Sequence, residues 1–257
     1  MRQDEGPQDN MESDHSPEAV SARLEHGAQH SYVRDMVYGG TDGAVTTFAV
    51  VSGALGADLA ASTVVILGLA NLFADGFSMA AGDFLGTRAE DQQRDRRRRE
   101  EEHEIRTIPA GEREEVRQIF AGKGFQGETL EQVVDVITSD ERLWVDTMLT
   151  EEHGLSLEGP SATRAALSTF GAFLAAGLLP LISFLVNLPF PGAIASPFYW
   201  SIGLTAVAFF LIGSLKSRVV DDWWLRSGLE TLLLGGVAAA LAFGVGMALR
   251  GIADGMG

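Results

Sequence analysis

Apolar residues in this chain gather into long runs, at positions 37–57, 59–85, 165–188, 198–215 and 228–249. Each run approaches or exceeds the roughly 20 mainly apolar residues that a helix needs to cross the hydrocarbon of a bilayer. A soluble helix keeps a wet face as well as a core-facing one, so a soluble domain rarely concentrates its apolar residues in this way. Most of the ionisable residues fall elsewhere, in the first thirty positions and between 88 and 158. The pattern predicts an all-α membrane protein of five transmembrane helices, with a helical insert between the second and third.

The loops orient these spans. The short turn near 56–58 makes the first two a tight hairpin. The connection 187–197 is rich in proline and carries no charge, whereas 216–226 holds Lys216, Arg218 and Arg226. The stretch 88–99 is rich in arginine. Positive loops stay in the cytoplasm, which places the N-terminus and the insert inside and the C-terminus outside. Four regions follow: an acidic, disordered cytoplasmic tail (1–31), the first two spans (32–89), the insert (90–160) and the last three spans (161–257). The tail has no apolar core behind a basic start, so no cleavable signal is expected.

Charge and composition exclude other classes. A net charge of −16 speaks against a nucleic-acid partner, whose phosphates call for a basic surface. The basic run Arg96 to Arg99 reads instead as an anchor at anionic head groups. The absence of cysteine removes disulfides, iron–sulfur clusters and thiolate zinc sites, leaving carboxylate, imidazole and thioether as metal ligands.

Several polar residues sit where lipid disfavours them. Asp42 lies near the cytoplasmic start of the first span, and Asn71, Asp75 and Met79 recur every fourth residue on one face of the second. A carboxylate at that depth normally faces protein, a partner or an aqueous path. Oxygen ligands suit Fe2+, Mn2+ and Zn2+, and a thioether adds softness. Gly39, Gly40 and Gly43 beside Asp42 are expected to let backbone approach an ion closely. Asp83 reads as interfacial.

The insert repeats the theme in water. Residues 100–106 extend the second span, 111–120 form a helix after Pro109, and Leu130, Val133, Val134 and Ile137 recur at helical spacing before a last helix over 143–152. Glu101 and Glu104 share one helix face, as do Glu112 and Glu115, and Met148 and Glu152 share another. If these faces meet across the Pro109 turn, they form a carboxylate-rich cage with one softer member. Like charges brought together repel, and a divalent cation relieves that cost. Solvated glutamates on exposed helices are the ordinary alternative.

Segment 38–88, with Asp42 before Gly43 and Gly68-Leu69-Ala70-Asn71-Leu72 leading to Ser78-Met79-Ala80, resembles the vacuolar iron transporter family. The likeness extends through the insert and, more loosely, the last three spans. It implies a homodimer of five-span subunits whose ion path at the dimer interface uses Asp42 and Met79. It also implies a cytoplasmic metal-binding domain using Glu101, Glu104, Glu112, Glu115, Met148 and Glu152, and export of Fe2+ or Mn2+ in exchange for protons. No prosthetic group is expected, and the chain is expected to be no enzyme. The sequence departs from the family pattern at Asn71, where a glutamate is common, and at Leu149, in place of a second methionine. Asp75 is the candidate substitute for the missing glutamate. A cell inner membrane of bacterial type is expected. Two other readings are a membrane-tethered metal sensor or buffer, and an intramembrane protease using Asp42 and Asp75 as a dyad.

Overall fold

The computed structural model describes residues 15–26, 31–220 and 222–255, and every regular element among them is helical. Residues 1–31 and 32–257 form separate units. Within the first, where a disordered tail was expected, Pro17–His26 forms helix α1. Ser16 accepts the Ala19 amide at 3.2 Å, and Pro17 and Glu18 suit a first helical turn. Residues 1–14 and 27–30 of the expected tail lie outside the described residues.

The second unit contains α2 (Val33–Gly56), α3 (Ala61–Thr107), α4 (Pro109–Gly122), α5 (Gly127–Thr138) and α6 (Glu141–Glu151). There follow α7 (Ala162–Leu178), a 3-10 turn (Leu179–Leu181), α8 (Ile182–Asn187), α9 (Pro197–Val220) and α10 (Trp224–Gly255). Four stretches among the described residues are long and apolar enough to cross a membrane: α3, Ala162–Asn187, Pro197–Ser217 and Trp224–Gly251.

Helix α2, counted from sequence as the first of five spans, is not one of the four. Its 24 residues reach about 36 Å, so length is not the reason. Arg34, Asp35, Asp42 and several glycines and threonines lower its apolar content. Its surroundings account for that composition. α2 packs against α3, α7, α9 and α10, and it buries a face of small residues that includes Gly39, Gly43, Ala44 and Thr47. A helix enclosed by others needs no apolar surface all round. The apolar surface faces outward on its neighbours: Ile66, Phe73 and Phe77 of α3 and Leu233, Val237 and Leu241 of α10 are each more than half exposed. Such a belt is stable against lipid and costly against water.

The glycines around Asp42 do something other than expected. A Cβ on Gly39 would collide with the carbonyl of Thr169, and one on Gly43 with the carbonyl of Phe173. They seat α7 against α2, so their small size is taken up by helix packing rather than by an ion. Gly246 of α10 meets the carbonyl of Gly53 in the same manner.

The third span breaks where the sequence reading had a continuous helix. Pro180 has no amide hydrogen to give, and the chain tightens into the 3-10 turn before resuming as α8. The Ser201 hydroxyl donates to the Pro180 carbonyl at 2.7 Å, which ties the break to α9. At the end of α8, the Asn187 side chain both donates to the Ile194 carbonyl (2.9 Å) and accepts from its amide (2.8 Å), closing the uncharged connection.

Helix α3 is 47 residues long, about 70 Å, and runs without interruption from the apolar bundle into the insert. Its polar end packs with α4, α5 and α6 around Ile105, Val116, Val134, Ile137, Trp144 and Val145. The row read from sequence supplies this core, with Leu130 and Val133 packed at its margin. Arg98 of α3 donates to Asp146 of α6 at 2.6 Å, and Arg117 of α4 bridges to Glu131 of α5 at 2.8 Å. The expected head-group run is thus partly engaged within the protein: Arg96 and Arg97 pair with Glu100, and Arg98 with Asp146.

Candidate metal centre

The polar residues of the apolar bundle lie on α2 and α3. Asp42, Asn71, Asp75 and Met79 are all half-buried. Asp42 and Asp75 are close enough for their charges to interact across the two helices. The Asn71 amide nitrogen is buried with no hydrogen-bond partner. Along α3, Asn71, Asp75 and Met79 flank the buried row Gly68, Leu72 and Gly76. Asp83, read from sequence as interfacial, accepts a hydrogen bond from Thr169 of α7 at 2.7 Å. Its carboxylate has a packing role.

The insert assembles the glutamates. α3 turns into α4 at Ile108 and Pro109, so the last turns of one helix face the first turns of the next. Glu101, Glu104 and Glu112 offer carboxylate oxygens that all lie within 4.8 Å of one another. Glu101 also groups within that distance with Glu152 and His153, which follow α6. Glu101 is therefore common to both clusters. Glu115 faces the same charges, since Glu152 and Glu104 both act on it. Met148 is wholly buried in the apolar core of the insert, beside Ile105 and Val116, which stand one turn along from Glu101 and Glu112.

Two of these carboxylates are in an unusual state. Glu101 and Glu112 are 2% and 1% exposed, and in each one oxygen, Oε2, is buried without a partner. A buried charge without a counter-charge is unfavourable by several kcal/mol or takes up a proton instead. Burial, reinforced by Glu115, Glu101, Glu104 and Glu152, pushes the Glu112 carboxyl up to about 7. Burial likewise raises Glu101, against the lowering effect of its contact with His153, and it raises Glu115 as well. Among the described residues the arrangement is an acceptor-rich pocket of carboxylates with the His153 imidazole beside it. A divalent ion would satisfy both orphaned oxygens.

His153 was absent from the sequence reading. Its Nε2 lies 2.6 Å from Glu101 Oε1 and 3.9 Å from Glu152 Oε2. Its adjacency to Glu152 and the Gly that follows at a helix end were the available signals. Neither says that the ring turns back onto α3.

A sequence profile of the VIT family matches residues 33–247. A vacuolar iron transporter of Toxoplasma gondii is 33% identical over 225 residues, covering 85% of this chain and 74% of that protein. Vacuolar iron transporter 1 of Eucalyptus grandis is 32% identical over 228 residues, covering 88% and 89%. The Arabidopsis thaliana protein of that name is 30% identical over 234 residues, covering 88% and 91%. The match includes the apolar bundle and the insert together, so this membrane protein with several apolar helices belongs to the VIT family.

Proposed function

We propose that the chain moves Fe2+ or Mn2+ out of the cytoplasm in exchange for protons. The observation that carries this reading is the pair of buried glutamates, Glu101 and Glu112, each with an unpartnered oxygen inside a carboxylate cage. The relatives' names supply the iron. In this reading α2 is a fifth span, long enough for the bilayer and shielded from it by the four apolar ones. The insert and N-terminus are cytoplasmic and the C-terminus outside, in a cell inner membrane, because the basic segments flank the insert and join α9 to α10.

The cage collects the ion. Glu104, Glu115 and Glu152 are exposed and meet the ion from water, while Glu101 and Glu112, whose burial has already stripped their hydration, hold it within the insert. Met79 stands 22 residues before Glu101 on the same continuous helix, about 33 Å away along its axis. The helix thus links a collecting end to a bundle end lined by Asp42, Asn71, Asp75 and Met79. In one protomer these residues are only half-buried, as expected where a second copy completes the path. Protons and metal compete for the same oxygens, so a proton arriving from outside displaces the ion and exchange follows.

Liposomes containing the purified protein and an entrapped metal indicator test this directly. Wild-type protein is expected to pass Fe2+ and Mn2+ at a rate that rises with an opposing proton gradient. Asp42→Ala should lose flux while still binding metal at the insert. Full flux in that variant would overturn the assigned path. Binding without any flux in the wild type would replace transport with a sensing or buffering role.

A further inference from the structure

We infer that His153 is itself a metal ligand, closing with Glu101 and Glu152 a mixed nitrogen–oxygen ion position beside the all-oxygen position of Glu101, Glu104 and Glu112. The inference rests on the reading of the insert as a divalent-metal cage and adds to it a ligand of different chemistry.

The backbone places the ring there. Helix α6 ends at Glu151, and Gly154 takes the left-handed conformation with φ of 63°. The Leu155 amide then reaches back over the left-handed glycine to the Leu149 carbonyl at 2.9 Å and closes the helix end. Leu155 packs against the core of the insert. Between the last helical turn and this anchor, the His153 amide is held by the Met148 carbonyl at 3.3 Å. The imidazole is therefore fixed over α3 and is only 19% exposed.

A plain hydrogen bond between His153 and Glu101 does not complete the site. It engages Oε1 of Glu101 and leaves Oε2, on a side chain that is 2% exposed, with no partner. Glu112 presents a second orphaned oxygen to the same cage. The ligand atoms of Glu101, Glu152 and His153 already lie within 4.8 Å of one another. Bonds of about 2.0 to 2.2 Å from an ion set neighbouring ligand atoms about 3.0 to 3.5 Å apart, so Nε2 and Glu101 Oε1 separate from 2.6 Å while the Glu152 oxygen closes from 3.9 Å. Imidazole suits Fe2+ and Zn2+ better than Mg2+ or Ca2+, so this position selects transition metals in a cage otherwise built from hard oxygen.

Pulsed EPR of Mn2+ bound to the full-length protein in detergent reads the assignment, because a coordinated ring nitrogen modulates the electron spin echo. Nitrogen modulation is expected in the wild type, retained in His103→Gln and lost in His153→Gln. The latter should also weaken Zn2+ binding by at least the roughly tenfold that loss of even an outer-shell partner of a metal ligand costs. Mn2+ binding without nitrogen modulation in the wild type overturns the inference and leaves the cage intact. So does modulation that persists in a folded His153→Gln protein. If the wild type binds neither Mn2+ nor Zn2+ at the insert, the cage reading and the His153 assignment fall together. The wild-type spectrum decides the matter even if the variant fails to fold.

Discussion

Gly43 of α2 stands so close to the carbonyl of Phe173 on α7 that no side chain fits between them. The contact brings the helix carrying Asp42 against the third apolar span, and glycine is what allows it. Gly43→Ala is expected to lower stability in detergent by about 1 to 3 kcal/mol, because overpacking outweighs the gain of roughly 1 kcal/mol that alanine brings to a helix. Gly171→Ala has open space around its Cβ and should be neutral or slightly stabilising. Thermal unfolding of the two variants side by side checks the pair. Equal melting temperatures would mean that α2 and α7 do not pack this closely.

Glu112 makes the metal-free insert sensitive to pH. Below the ordinary value of 4.5 the carboxyl is neutral in folded and unfolded chains alike, and its contribution to stability is fully present. Between 4.5 and about 7 the folded state holds the extra proton, so stability falls as pH rises, and it levels off above about 7. Metal-free protein should therefore melt lower at about pH 8 than at about pH 5, and Glu112→Gln should flatten this difference. Metal affinity runs the other way and strengthens as pH rises through about 7, because the ion no longer competes with that proton. Melting curves with and without Mn2+ across this range check both signs.

Met148 has a packing role in the structure that can be separated from any role as a ligand. It is wholly buried in the insert's core. Met148→Ala should cost about 2 to 5 kcal/mol through the cavity it leaves, whereas Met148→Leu conserves volume and should cost under about 1.5 kcal/mol. If the sulfur also binds metal, the leucine variant keeps its melting temperature and loses affinity for softer ions relative to Mn2+. Unchanged metal preference in a stable Met148→Leu protein would confine the residue to packing.

Asp146 links the third wall of the cage to the long helix. It accepts from Arg98 at 2.6 Å, which holds α6, and with it Glu152 and His153, against α3. The pair is partly exposed, so Asp146→Ala should cost only about 1 kcal/mol of stability. Its larger effect is expected on metal affinity, since Glu152 and His153, the proposed ligands that follow α6, lose their register with Glu101. Calorimetric titration with Mn2+ measures this. Wild-type affinity in Asp146→Ala would show that packing alone positions α6.

Much of this protein was legible in contiguous residues. Run length and charge marked the apolar segments, Pro109 marked the turn between α3 and α4, and helical spacing put Glu101 with Glu104 and Glu112 with Glu115. The row ending at Ile137 identified the core of the insert. These features depend on neighbours within a turn or two, which sequence displays directly. Run length was silent where local composition and environment part company. α2 is the least apolar of the long helices in the bundle because it is the most enclosed, and Pro180 breaks a run that hydropathy treats as one span.

What tertiary structure alone decided are the partners of each face. Spacing says which residues share a helix side and is silent on what that side meets. Gly39 and Gly43 could equally have approached an ion or a helix, and only the path of α7 settles them on Thr169 and Phe173. His153 is 52 residues from Glu101 in the chain, and they meet because a left-handed glycine stops α6 and Leu155 anchors the turn. The sequence by itself determined a helical membrane bundle with an acidic helical insert, because burial of apolar length is a local demand. The cage's shared carboxylate and its nitrogen neighbour come from long-range packing, in which separate helices must first find one another.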